Sequence, residues 1–166
     1  GDKASDRSDR AGDAASTTPA RVRFVTVEDG RFTLAGKPHY FVGANFWQGM
    51  NLGVDGPSGD RPRLLRELDR LRDLGVTNLR VMASSAGPNT EPYRTVPALM
   101  TAPGEYDGSV LDGLDFLLAE MGHRGLRAVM VLNNFWQWSG GMAQYVSWHE
   151  KTPIPYPGDY EKFISY

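Results

Sequence analysis

The sequence predicts an α/β fold, a (β/α)8 barrel with about the first three βα units present in its 166 residues. Three observations lead there. Short apolar runs alternate with stretches whose leucines recur at helical spacing. The short runs are apolar almost throughout, as strands buried on both faces of a parallel sheet are. The first of them leads into "GANFWQG", which lacks the GxGxxG spacing of a phosphate loop and so speaks against a dinucleotide-binding sheet. Barrels of this kind take about 250 residues, so the sequence reads as the N-terminal part of a larger domain.

Residues 1–22 open with "GDKASDRSDRAGDAASTTPA", which has no large apolar side chain. Such a segment cannot bury enough surface to offset its ordering entropy, so it is expected to be a disordered tether ahead of a folded portion at 23–166. Next, "FVTVEDGRFTLAGKPHYFVGAN" alternates in short runs split at Asp29-Gly30 and at Gly36-Lys37-Pro38. Asp-Gly between such runs signals a hairpin, and a strand should follow at 40–44. In "DRPRLLRELDRLRDLGV", Asp60 is placed to cap a helix and Pro62 suits its first turn. Leu64, Leu65, Leu68, Leu71 and Leu74 make one stripe, and Gly75 is a natural stop. "VTNLRVMASS" supplies a strand over 78–83, and a Pro- and Gly-rich loop covers 86–108. Val110, Leu111, Leu114, Leu117, Leu118 and Met121 mark a second helix that Gly125 ends. "LRAVMVLNN" is the third strand. An irregular region follows, and "YPGDYEKFISY" begins a third helix.

Composition narrows the function classes. Net charge is −2 and the basic residues are scattered, which gives no nucleic-acid or membrane-surface footprint. No apolar run approaches the roughly 18 residues of a membrane-spanning helix, and no signal-peptide pattern is present. The absence of cysteine removes disulfides, thiolate metal sites and cysteine nucleophiles. Three scattered histidines without HExxH offer no metal site. The tether composition is common at an N-terminus left by export, which points to an extracellular or cell-surface protein. One version is a lipoprotein with its acylated cysteine just before Gly1; an arbitrary start point is the alternative.

In a (β/α)8 barrel, function gathers where strands end and loops begin. The first strand ends in "ANFWQG", with Asn45, Trp47 and Gln48. The second holds Arg80, with Ser84 and Ser85 beyond it. The third ends in "VLNNFWQWSGG", with Asn133, Asn134, Trp136, Gln137 and Trp138. Sugars present apolar C–H faces, which flat aromatics cover, and hydroxyls, which amides and guanidinium groups bond. Tryptophans among amides at two strand ends therefore suggest a carbohydrate cleft. The alternative is that Trp47 and Trp136 are core or rim aromatics. A mid-strand arginine is costly unless paired. Arg80 is thus expected to meet a carboxylate, either a catalytic Glu whose pKa it lowers or a purely structural partner.

"GKPHYFVGANFWQGMNLG", "LRVMASS" and "VLNNFWQWSGGMAQYVSW" together resemble the N-terminal part of the endo-β-1,4-mannanases of glycoside hydrolase family 5. The third of these is the most specific; the first two are shared more widely among related barrel glycosidases. The resemblance covers about residues 23–166 and implies a (β/α)8 barrel that needs no cofactor. It implies retaining hydrolysis of internal β-1,4-mannosidic bonds by two glutamates whose carboxyls lie about 5–5.5 Å apart. In the family the acid/base follows the fourth strand and the nucleophile the seventh. Both are expected beyond Tyr166, and the fragment alone is expected to be inactive. No strand end identified here carries Asp or Glu: Asp55, Glu91, Glu105, Asp107 and Glu150 fall in predicted loops. By the same resemblance, Arg80 supports the nucleophile, and Asn133, Asn134 and Trp136 line the glycone side of the cleft. Asn45 and Trp47 line its floor, and Trp138 joins them as a substrate-binding residue. The implied partner is a β-mannan polysaccharide or manno-oligosaccharide, bound by a protein that is a monomer at full length. Another member of the clan, an endoglucanase or an exo-β-mannosidase, is the alternative among enzymes. A non-catalytic carbohydrate-binding barrel is the alternative outside them.

Overall fold

The computed structural model describes residues 24–154 and 160–165. The tether expected over 1–22 lies outside them. The chain divides into two compact units, Gly1–Tyr40 and Phe41–Tyr166.

The described part of the first unit is a three-stranded antiparallel sheet in the order β1 (Thr26–Glu28), β2 (Arg31–Leu34), β3 (Lys37–Pro38). Asp29 and Gly30 have φ of 49° and 73°, the left-handed pair that a two-residue hairpin requires, so the predicted Asp-Gly turn is present. Ala35 and Gly36 repeat it at φ 55° and 73° and add the third strand. The Thr26 and Thr33 hydroxyls meet across the sheet at 2.7 Å.

The second unit is built on a parallel sheet in the order β4 (Gly43–Asn45), β5 (Asn78–Met82) and, further along the chain, Arg127–Val131. Between β4 and β5 lie α1 (Gly49–Leu52) and α2 (Arg61–Asp73). Between β5 and the third strand lie a hairpin of β6 (Met100–Ala102) and β7 (Glu105–Tyr106), then α3 (Gly108–His123); the third strand is β8. The predicted strand–helix–strand order holds for β4, α2, β5, α3 and β8, whereas α1 and the β6–β7 hairpin, which falls within the predicted 86–108 loop, are additions. Asp60 caps α2 by accepting from the Arg63 N–H at 3.0 Å, and Gly75, at φ 83°, ends the following turn.

The helices cover one face of the sheet. Ala44, Leu79 and Ala128 stand in register across the three strands and point to them. Fully buried Leu79 and Val81 pack there with Met50 and Val54 of the α1 region, Leu64 and Leu68 of α2, and Val110, Leu117 and Met121 of α3. Each such burial is worth about 1.5–3 kcal/mol. Helices α1 and α3 touch backbone to backbone: a Cβ on Gly53 would lie 2.1 Å from the Gly113 carbonyl oxygen.

Four expectations are corrected. The strands are not buried on both faces: in the layer opposite the helices Asn45 and Arg80 are exposed, and Val129 is 49% exposed. On the helix side β8 is also thinly covered, with Met130 exposed. The first parallel strand begins at Gly43 rather than at residue 40, and Tyr40 is largely exposed. Leu74 and Leu111 are exposed, because Leu74 sits past the last turn of α2 and Leu111 on the outer side of α3. The region after β8 is not irregular. It holds a 3-10 turn (Gln137–Ser139) and α4 (Gly141–Glu150), and α5 (Tyr160–Ile164) follows as predicted. Helix α4 escapes the apolar-stripe test because it buries Gly141, Ala143, Gln144 and Ser147, small or polar residues that leave no hydrophobic period.

Candidate active-site face

Loops leaving the C-terminal ends of β4, β5 and β8 converge on one pocket of about 400 Å³. Its lining takes Trp47 from the first loop, Tyr93, Arg94 and Thr95 from the second, and Trp138 from the 3-10 turn of the third. The Trp47 and Trp138 rings stand 5.3 Å apart at 58°, a tilted pair that lines the pocket. Tyr93 is 80% exposed and holds φ at 56°, rare for a bulky residue. Two flat indoles, a phenol and a guanidinium around a small basin suit a sugar ring with its apolar face and hydroxyl rim.

The "SGG" following Trp138 in the sequence is explained by this geometry. Gly140 has φ 90°, and a Cβ on it would lie 2.0 Å from the Ala86 carbonyl oxygen. Gly141 has φ 63°, and its Cβ would lie 2.1 Å from the Phe135 carbonyl oxygen. Only glycine tolerates both the backbone sign and the close approach.

Below the pocket, Asn45 and Arg80 are direct partners in the β4–β5 register, so their side chains leave the same sheet face side by side. The carboxylate partner expected for Arg80 is not found: its side chain is exposed and makes no ion pair among the described residues.

Of the residues predicted for the site, Trp47 and Trp138 come together in the pocket, and Asn45 joins Arg80 on the sheet. Asn133, Asn134 and Trp136 stay on the third loop outside the pocket lining. Asn133 Oδ1 accepts from the Asn134 N–H at 2.7 Å, and Asn134 Oδ1 from the Trp136 N–H at 3.3 Å, so both amides shape the turn. Trp136 meets Phe135 edge-on at 5.4 Å. Ser85 is buried and its Oγ accepts from the Leu99 N–H at 2.8 Å, a structural role. Tyr93, Arg94 and Thr95 were not singled out from the sequence. The signal was available as "PYRT", an aromatic beside an arginine within a loop that leaves a strand end.

No carboxylate among the described residues lines the pocket. Asp107 caps α3, and the Ser109 hydroxyl and N–H bonded to it hold its pKa below the usual range. Glu105 lies in β7 and Glu150 ends α4, both exposed, rather than in the predicted loops. No cluster of metal-ligating side chains is present among the described residues. None of their helices is long and apolar enough to cross a membrane.

Residues 22–166 match the family described as GH family 5 beta-mannosidase-like. Mannan endo-1,4-beta-mannosidase 3 of Solanum lycopersicum is 32% identical over 138 residues, which cover 83% of this chain and 32% of that protein. Mannan endo-1,4-beta-mannosidase 1 of the same plant is 35% identical over 125 residues, covering 75% and 29%. Among solved structures, the Glycoside Hydrolase Family 5 Mannosidase from Rhizomucor miehei superimposes with a TM-score of 0.80 at 48% identity, covering 86% of this chain and 36% of that one. The endo-1,4-beta-mannanase of the same organism shares the fold, with a TM-score of 0.61 at 22% identity over 75% of this chain and 33% of that one. The chain thus spans about a third of the length of the relatives it matches. Its parallel sheet and flanking helices are those of a TIM-barrel family, and its sequence is mannanase-like: the chain belongs to glycoside hydrolase family 5.

Proposed function

We propose that this chain is the N-terminal portion of a retaining glycoside hydrolase that cleaves internal β-1,4-mannosidic bonds of mannans. The observation that carries the reading is the aromatic pocket assembled from all three loops at the C-terminal ends of the parallel strands. In that reading Trp47 and Trp138 stack on sugar C–H faces, while Asn45 and Asn133, Asn134 and Trp136 line the cleft around them. Arg80 donates to the nucleophilic carboxylate and keeps it ionised. Both catalytic glutamates come from sequence beyond Tyr166, held about 5–5.5 Å apart for a double displacement through a glycosyl-enzyme. The 166 residues alone are then catalytically silent, and no cofactor takes part. The full-length protein acts outside the cell or on its surface as a monomer.

A second reading is exo-acting hydrolysis of short mannosides. It is favoured by the 48% identity to the Rhizomucor mannosidase, a variant of which was solved in complex with mannosyl-fructose. Product analysis of the full-length protein on galactomannan separates the two. A ladder of manno-oligosaccharides supports internal cleavage; mannose alone supports the exo reading; no release of reducing ends overturns both.

A further inference from the structure

The tilted Trp47–Trp138 pair sits on loops, and loops hold a geometry only where something fixes them. Three contacts tie the loop after β5 to the turn that carries Trp138. The Thr95 N–H donates to the Trp138 carbonyl at 2.8 Å, and the Ala86 N–H to the Ser139 carbonyl at 2.9 Å. Gly140 packs against the Ala86 carbonyl so closely that no side chain fits between them. The position of Trp138 therefore depends on how segment 86–95 is held.

Arg94 holds that segment closed on itself and on α4. Its Nη1 donates to the Ala86 carbonyl at 2.7 Å, and its Nη2 to Gln144 Oε1 at 3.0 Å. Gln144 is 3% exposed on the inner side of α4, so the second bond is shielded from water and correspondingly costly to lose. Gly87 leaves the space for this. At φ 127° its absent Cβ would fall 1.9 Å from Arg94 Nη1 and 2.8 Å from Gln144 Oε1. A planar fork with two diverging acceptors suits arginine and not lysine.

We infer that Arg94 is a positioning residue: forked between the Ala86 carbonyl and Gln144, it fixes Trp138 against Trp47 and so sets the affinity of the pocket for sugar. The inference rests on the reading of that pocket as a mannoside site. Arg94 touches the pocket, but Gln144 does not line it, so substitutions at Gln144 act on sugar only through geometry.

The test uses the full-length protein with Arg94→Met, Gln144→Leu and Gln144→Glu, and with Trp47→Phe and Trp138→Phe as spectral controls. The first readout is the far-ultraviolet exciton couplet of the indole pair, identified as the signal each control removes. The second is the split between KM and kcat on a manno-oligosaccharide. R94M and Q144L should lose the couplet and raise KM about tenfold with kcat within about twofold, the pattern of lost uniform binding. Q144E, which keeps the acceptor, should retain both the couplet and the wild-type KM. A couplet that survives in R94M and Q144L overturns the inference, and so does an unchanged KM where the couplet is gone. If the wild type cleaves no β-mannoside at all, the functional reading fails while the couplet still decides the positioning role.

Discussion

On the proposed reading Trp138 serves sugar binding and Arg80 the chemistry, and single substitutions test that division. Trp138 lines a basin with Trp47, so in the proposed reading its truncation removes stacking area that substrate and transition state would use alike. Trp138→Ala in the full-length protein should weaken manno-oligosaccharide binding by about 2 kcal/mol, roughly thirtyfold, measured by titration calorimetry. Unchanged affinity would remove the pocket from the sugar path. Arg80 stands in register with Asn45 on the exposed sheet face, and in the proposed reading it supports the nucleophilic carboxylate. Arg80→Ala should lower kcat about a hundredfold and leave KM within a few-fold, since it removes a donor whose worth grows with transition-state charge. A change confined to KM would assign Arg80 to binding instead.

At the scale of elements, the helices are set by close approaches and one ionic bolt. Gly113 of α3 lies where a Cβ would meet the Met50 carbonyl oxygen and the Val54 nitrogen, each at 2.7 Å. Gly113→Ala should therefore destabilise the chain by about 1–3 kcal/mol through overpacking, despite alanine's better helix propensity, as read from urea unfolding. Stabilisation would mean that α1 and α3 can separate freely. Arg124, just past α3, donates to Asp69 of α2 at 2.8 Å and to Glu120 at 2.5 Å. Hydrogen bonds from Arg124 hold both carboxyls below their ordinary pKa. Depressed carboxylate pKa values stabilise the fold above the unfolded-state range and lose that effect as pH falls through the folded-state values. The urea-midpoint gap between wild type and Arg124→Met should thus be full at neutral pH and close below about pH 4; a gap constant with pH would show packing alone. Helices α2 and α3 were legible in the sequence because their apolar stripes and stop glycines agree, and Asp60 marked the start of α2; the Asp107 cap of α3 was read as loop. Helix α4 was not, because its buried side is small and polar, and neither was Arg94, whose acceptors lie across the fold at Gln144 and on the backbone at Ala86. Trp47 and Trp138 could be named from strand ends alone; their contact depends on glycine approaches that composition does not reveal.

At the scale of the whole 166-residue chain, which spans about a third of the relatives it matches, the decisive feature is a parallel sheet that the described helices clothe on one side. On the other, Asn45, Arg80 and Val129 form an exposed layer, and β8 leads into Leu132, which is 74% exposed. Strand β8 pairs with β5 alone among the described strands, so its outer edge carries backbone donors and acceptors without strand partners. An apolar strand edge of this kind is a template for pairing with another chain. The polar half of the exposed layer opposes nonspecific collapse, so association should run through β8 rather than through Asn45 and Arg80. The 166-residue chain should accordingly self-associate in a concentration-dependent way, seen by sedimentation velocity. Met130→Lys and Leu132→Lys together should shift it toward monomer, because lysines on an exposed edge repel a second copy and solvate the strand. Asn45→Ala should leave the distribution unchanged. If the double lysine variant associates as strongly as wild type, the edge of β8 is not the adhesive surface. If wild type is monomeric at all concentrations tested, the unpaired edge of β8 does not drive association.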